Sequence, residues 1–162
     1  MGRFRLVASG AGLRRVYWPG EKAPRGAEFA RLTEAPPKVA RLLKITAKQL
    51  AEYFSGRRVR FTAQLDLSSL NPFAKKVLRA LARVPYGRTI TYGQLAKRVG
   101  SGDAARAVGN VMAQNPVPII VPCHRVVASG GSLGGFSAPG GLALKRRLLS
   151  LESVDLRRTT RR

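Results

Sequence analysis

The chain contains one cysteine and one histidine, and they are neighbours, Cys123 and His124 in the run VPCHRVV. A thiolate is the best side-chain nucleophile near neutral pH once something lowers the thiol pKa, and an imidazole is the usual base for that task. Adjacency alone does not bring the two together, because successive side chains of an extended segment point to opposite sides. A tight turn or a bridging water removes that obstacle. The imidazole then needs an orienting group on its other ring nitrogen. Past position 70 the acidic residues are only Asp103, Glu152 and Asp155. Glu152, alone among apolar and basic residues of a helical stretch, is the best candidate. The residues by themselves leave a second reading open, since free cysteine is common in cores and usually inert. A single thiol excludes an internal disulfide and a multi-thiolate zinc site.

The setting of this pair is strongly cationic. Lys and Arg number 30 against 8 Asp and Glu, a formal net charge of +22. So large a positive field attracts a polyanion, with nucleic acid the leading partner and an anionic membrane surface second. A generally basic proteome, or adaptation to heat or salt, would produce the same composition without a nucleic-acid ligand. No apolar run is long enough to span a bilayer. The opening MGRFRLVASGAGLRRV has basic residues but no sustained apolar stretch behind them, which makes it a poor secretory signal. A free thiol and no export signal lead to a cytoplasmic location as the expectation.

Two groups of elements must position the pair. In FRLVASGAGLRRVYWPG, Phe4, Leu6 and Ala8 alternate before a glycine turn, and Leu13, Val16 and Trp18 resume after it, which predicts two strands. EKAPRGAEFARLTEAPP reads as an exposed connection. Val39, Leu42, Leu43, Thr46, Leu50, Tyr53 and Phe54 recur at helical spacing, and RRVRFTAQLDL alternates as a half-buried strand over Val59 to Leu67. A second unit starts at Asn71-Pro72, which suits a first helical turn, with Phe73, Val77, Leu78, Leu81 and Ala82 as its stripe. Two short helices follow, one carrying Leu95, Ala96 and Val99, the other Ala105, Val108, Val111 and Met112. In a basic context they form a helix-turn-helix candidate, although any helical hairpin shows the same pattern. Prolines 116, 118 and 122 argue against a central strand. Ile119 to Val121 and Val126-Val127 read as short extended pieces about a tight turn carrying Cys123 and His124. A glycine-rich loop, GGSLGGFSAPGG, precedes a last helix with Leu142, Leu148, Leu149 and Leu151 inward, and VDLRRTTRR is a basic tail.

The run IIVPCHRVV, with ARAVGNVMAQNPVP before it and the glycine-rich loop and KRRLLSLE after it, resembles the O6-alkylguanine-DNA alkyltransferase family, the methylated-DNA–protein-cysteine methyltransferases. The likeness is continuous from about Asn71 to Glu152; the N-terminal half matches only as a pattern. The resemblance implies an α/β (α+β) fold, with a small N-terminal β-sheet and helix domain of ribonuclease-H-like type over 1–68. A mainly helical C-terminal domain with a winged helix-turn-helix-like DNA-binding motif would follow over 69–154, then a basic tail over 155–162. It implies DNA repair by direct, irreversible transfer of the alkyl group from O6-alkylguanine, and from O4-alkylthymine, to the protein's own cysteine. That is methylated-DNA–[protein]-cysteine S-methyltransferase activity used once per molecule, because a thioether is not hydrolysed as a thioester is.

In that scheme Cys123 is the nucleophile and alkyl acceptor, His124 its base through a water, and Glu152 the group that holds the imidazole, the orienting logic of hydrolytic triads. Tyr92 donates a hydrogen bond or proton to the leaving base, and Asn115 supports the active-site turn. Val126, Phe136 and Ser137 line the base pocket. Arg106 fills the gap left by a flipped nucleotide, while a plain phosphate contact would equally account for it. Arg125, Lys97 and Arg98 add to the DNA-binding surface. The implied partner is double-stranded DNA entered through the minor groove with base flipping. The implied protein is a monomer, with cooperative assembly on DNA left open, and needs no metal and no cofactor.

Departures from the family pattern are Phe136 where some members have tyrosine, Leu78 in place of a frequent tryptophan, and Ala74 in place of a frequent glutamine. The FSAPGG loop is longer than the shortest version. Family members without the cysteine bind the lesion without repairing it, so a non-catalytic lesion-binding module is the alternative, and a cysteine hydrolase with a basic surface is a third.

Overall fold

The computed structural model describes residues 2–22 and 32–154. The middle of the expected exposed connection, residues 23–31, and the basic tail from residue 155 lie outside the described residues. The chain divides into two compact units, Met1–Ser69 and Leu70–Arg162.

In the first unit, strands β1 (Arg5–Ser9) and β2 (Gly12–Tyr17) pair antiparallel. The register runs Val7 opposite Arg15 and then Ala8 opposite Leu13, so Arg14 is an extra residue, a bulge. That bulge explains why the buried Leu13 and Val16 are three apart rather than two. It also swings Arg14 out to Asp66, with Nε 3.4 Å from Oδ2. Gly12 is obligatory: at φ +147° an added Cβ would stand 2.5 Å from the Gln64 carbonyl oxygen. Helix α1 (Pro37–Phe54) buries Thr46, Leu50 and Tyr53. The Thr46 hydroxyl donates to the Leu42 carbonyl at 2.8 Å, which satisfies its polar atom inside an apolar stripe. Phe4 packs between Trp18 and Phe54, ring centroids 5.5 and 5.2 Å away.

The strand expected over Val59 to Leu67 does not form. Exposure alternates as predicted, with residues 58, 60, 62 and 64 outward, but only Leu65 makes a β-bridge, to Leu13. The rest of the segment is served by a side chain. Gln49 of α1 donates to the Arg60 carbonyl and accepts from the Thr62 amide, each at 3.2 Å. Period-two patterning reports which way side chains point; a strand also requires a neighbouring backbone.

The second unit is mainly helical. Helix α2 (Pro72–Ala82) starts with proline in its first turn and with Asn71 as its cap, accepting from the Ala74 amide at 2.8 Å. Strand β3 (Ile90–Thr91) leads straight into α3 (Tyr92–Arg98), which opens on a capping box between Thr91 and Gln94. After a turn over residues 99–104 comes α4 (Ala105–Ala113). The chain then makes a single 3-10 turn, Cys123–Arg125, and strand β4 (Val126–Val127), which pairs parallel with β3, Ile90 opposite Val126. Helix α5 (Gly141–Leu151) ends the described part. Val77, Leu81, Leu95, Val108, Val127 and Leu149 are fully buried, each stabilising the unit by about 1.5–3 kcal/mol.

Two expectations fail here. Ile119 and Ile120 form a turn rather than an extended piece. In α5, Leu142 is 46% exposed, and Lys145 lies on the buried face with Leu148 and Leu149. No helix among the described residues is long and apolar enough to cross a membrane.

Candidate active site

Residues 115–125 are shaped by their prolines and by one asparagine. Asn115, just past α4, donates from Nδ2 to the Val121 carbonyl at 2.8 Å, and its Oδ1 accepts from the Val117 amide at 3.1 Å. Between these anchors Ile119 is held at φ +71°, 1% exposed. A β-branched residue in that region costs about 1–3 kcal/mol and persists only where its surroundings over-determine it. The strain aims the next turn: Cys123 donates its amide to Val121 and Arg125 to Pro122, each at 2.9 Å.

In a 3-10 turn consecutive side chains are roughly 120° apart, so three neighbours face three environments. Cys123 faces a cavity of about 420 Å³ that it lines with Tyr92, Met112, Gly135, Phe136 and Ser137. His124 and Arg125 turn into the protein, 0% and 7% exposed. His124 Nε2 lies 2.7 Å from Glu152 Oε1 at the C-terminal end of α5. Since a carboxylate only accepts, Nε2 carries the proton. Arg125 grips the same carboxylate with a fork, Nε to Oε2 at 2.8 Å and Nη2 to Oε1 at 2.9 Å, and its Nη1 donates to the Val84 carbonyl at 2.6 Å. The Gly87 amide gives Oε2 another bond at 3.1 Å.

The electrostatics follow from these contacts. Burial pushes the Cys123 thiol up from its ordinary value, and Asn115 and the Lys145 charge offset part of that. Burial pushes His124 down, against the pull of Glu152. Burial alone would raise Glu152, but hydrogen bonds from His124 and Arg125 hold it at about 2. Glu152 is therefore a carboxylate at any ordinary pH. The Tyr92 hydroxyl donates to the Gly135 carbonyl at 3.3 Å, and burial, then the neighbouring Cys123, raise its pKa, which keeps it a donor. Gly134, at φ +65°, lets the loop lie on this ring, since a Cβ there would stand 3.0 Å from it.

Most expected site residues cluster here, with differences. Ser137 Oγ donates to the Ala113 carbonyl at 3.0 Å on the cavity wall. Val126 is not among the cavity-lining residues; it is fully buried in β4, and its carbonyl accepts from Lys145 Nζ at 2.5 Å. Arg125 corrects a second expectation. It contributes nothing to an exposed basic surface, because its guanidinium is committed to Glu152 and Val84 inside the protein. Arg106, in the first turn of α4, and Lys97 and Arg98, in the last turn of α3, are exposed.

Lys145 was missed. Fully buried, it also donates to the Leu133 and Gly135 carbonyls, tying the glycine-rich loop to β4. Burial brings it down to about 8, an effect that a thiolate at Cys123 would oppose. The signal was in the spacing: position 145 is three and four residues before Leu148 and Leu149, on the face that ends in Glu152.

Residues 1–67 match the family described as 6-O-methylguanine DNA methyltransferase, ribonuclease-like domain, and residues 72–154 its DNA binding domain. A methylated-DNA–protein-cysteine methyltransferase of Mycolicibacterium paratuberculosis is 46% identical over 105 residues. The alignment takes in 65% of this chain and 62% of that relative, so the chain spans less than two thirds of its length. The crystal structure of Mycobacterium tuberculosis OGT in complex with DNA superposes with a TM-score of 0.75 at 36% identity, covering 92% of this chain and 85% of that one. That of O6-methylguanine-DNA methyltransferase from Pyrococcus kodakaraensis gives 0.59 at 26% identity, covering 93% and 98%. The mixed α/β architecture, ribonuclease-like in its first part and mainly helical in its second, agrees with the fold class that the resemblance implies.

Proposed function

This chain belongs to the 6-O-methylguanine DNA methyltransferase family, and on that premise we propose that it repairs DNA by moving the alkyl group of O6-alkylguanine, and of O4-alkylthymine, onto Cys123. The observation that carries the reading is a lone thiol on the wall of a cavity with ample room for a base, with a buried His124–Glu152 pair behind it. With Nε2 engaged by Glu152, Nδ1 takes the thiol proton through a water. The sulfur attacks the alkyl carbon, an S–C bond forms, the C–O bond breaks, and the electron pair stays on the base oxygen. Tyr92 donates to the departing base as its charge develops. The product is a thioether that nothing in the site hydrolyses, so each molecule acts once.

Duplex DNA is the partner in this reading. The exposed Arg106, Lys97 and Arg98 support it, as does a helix pair, α3 and α4, joined by a short turn. Phosphate contacts hold the protein in the minor groove, and Arg106 occupies the space of the nucleotide flipped into the cavity. Phe136 and Ser137 line the cavity's loop side and hold the base there. The division near residue 68 separates a small N-terminal domain from the alkyltransferase domain, and the protein works as a monomer in the cytoplasm.

Mass measurement after mixing with duplex DNA bearing methylated guanine tests this directly. The expected result is a permanent gain of one methyl group, absent in Cys123→Ser. Lesion binding without a mass gain would favour the non-catalytic module, and repeated turnover on an ester or amide would sink the single-use mechanism.

A further inference from the structure

Arg125 is held at three points inside the protein, by both oxygens of Glu152 and by the Val84 carbonyl, with the Tyr86 ring 5.9 Å from its guanidinium carbon. The charges around the imidazole decide what this fork does. Glu152 faces His124 from the end of α5, Arg125 grips both oxygens of that carboxylate, Lys145 projects from the middle of α5, and Cys123 is the preceding residue on the turn. With the imidazole neutral, Glu152 and Arg125 cancel. Remove the guanidinium charge and a buried carboxylate is left against an imidazole, an arrangement that draws a proton onto the ring to make its own ion pair. With Arg125 in place, a protonated ring would add a further positive charge to a site already holding the guanidinium and the Lys145 ammonium.

We propose that Arg125 is a positioning residue for the proton transfer: it locks the Glu152 carboxylate and cancels its charge, so that His124 stands as a neutral imidazole with its proton on Nε2 and its lone pair on Nδ1. The inference deepens the alkyl-transfer reading and rests on it for the meaning of that lone pair. An arginine is suited to the task because its fork binds both carboxylate oxygens and its charge does not titrate. The fourth acceptor site, filled by the Gly87 amide, leaves the carboxylate no freedom to rotate away from the ring.

Because His124 is the only histidine in the chain, its imidazole gives a single set of nitrogen and carbon resonances, and its protonation and tautomer can be read by nuclear magnetic resonance without assignment. The wild type is expected to be neutral near pH 7 with the proton on Nε2. Arg125→Met is expected to raise the titration midpoint by about 1–3 pH units. Arg125→Lys, which keeps the charge but not the fork, should stay nearer the wild type than the Met variant does. The acidic limb of the pH–rate profile for transfer from a free O6-alkylguanine base should move up with the midpoint. An imidazolium in the wild type near pH 7, an Nδ1–H tautomer, or equal midpoints in wild type and Arg125→Met would overturn the proposal. If the Met variant does not fold, Arg125→Gln takes its place as the charge-free variant, with the same expected rise and the same overturning result. A shifted midpoint in a protein that transfers no alkyl group would leave the charge balance standing and remove the repair reading.

Discussion

At the scale of single residues, burial raises the Cys123 thiol and lowers the His124 imidazole, so each is held in its uncharged form and the proton must move during the reaction rather than before it. Glu152 is the opposite case, charged and tightly bonded. The same shifts set how stability responds to acid. Glu152 lies at about 2 against a usual 4.5, and Asp66, bonded by Ser68 and Ser9, at about 2 against 3.8. Carboxylates depressed in this way contribute stability that is fully present above their unfolded values and is lost as pH falls toward 2. His124, depressed from 6.5, begins to cost stability once the unfolded chain takes up its proton below that value. The urea midpoint should therefore fall steadily as pH is lowered from 6.5, most steeply below 4.5. In Glu152→Gln the steep part should flatten, and the variant should be less stable near neutral pH by about 3–5 kcal/mol, because Arg125 is left as an uncompensated buried charge. A midpoint that does not change with pH would contradict this account.

At the scale of elements, the segment between α4 and β4 does the positioning. Its strain at Ile119 is tolerated because Asn115 closes the turn from one side and three prolines limit the chain. Asn115→Ala removes two hydrogen bonds to the backbone, leaving the Val117 amide without this partner and the Val121 carbonyl with the Cys123 amide alone. It should cost about 2–4 kcal/mol in urea unfolding and slow methyl transfer from a free base while leaving some transfer, since the nucleophile remains but loses the hydrogen bond from Asn115 that offsets part of its raised pKa. Unchanged transfer kinetics would mean that the turn does not need this clamp. The start of α2 was legible because its signal, Asn71-Pro72, is local, whereas the capping box of Thr91 and Gln94 emerged only with the structure. The strand over Val59 to Leu67 was not legible, because its alternation is real while the partner backbone it would need is replaced by the Gln49 side chain, a long-range fact.

At the scale of the whole molecule, the net charge of +22 makes any DNA complex strongly salt-dependent, and the exposed Arg106 gives a sharper test than charge alone. Arg106→Ala should weaken repair of a lesion in duplex DNA at least tenfold more than it slows transfer from the free base, in single-turnover assays at fixed salt. Equal effects on both substrates would reduce Arg106 to one phosphate contact among many. The sequence by itself determined which groups are available, since one thiol, one imidazole and very few carboxylates leave little choice of reacting set. It also determined most helices, through periodicity and caps. Only the tertiary structure decided which way each member of Cys123-His124-Arg125 faces. Three consecutive residues of a tight turn point in three directions, so Arg125, read as surface, is instead the buried partner of Glu152. The same holds for Lys145, whose position on an apolar stripe is visible in the spacing, but whose place there depends on carbonyls from β4 and the glycine-rich loop that only folding brings within reach.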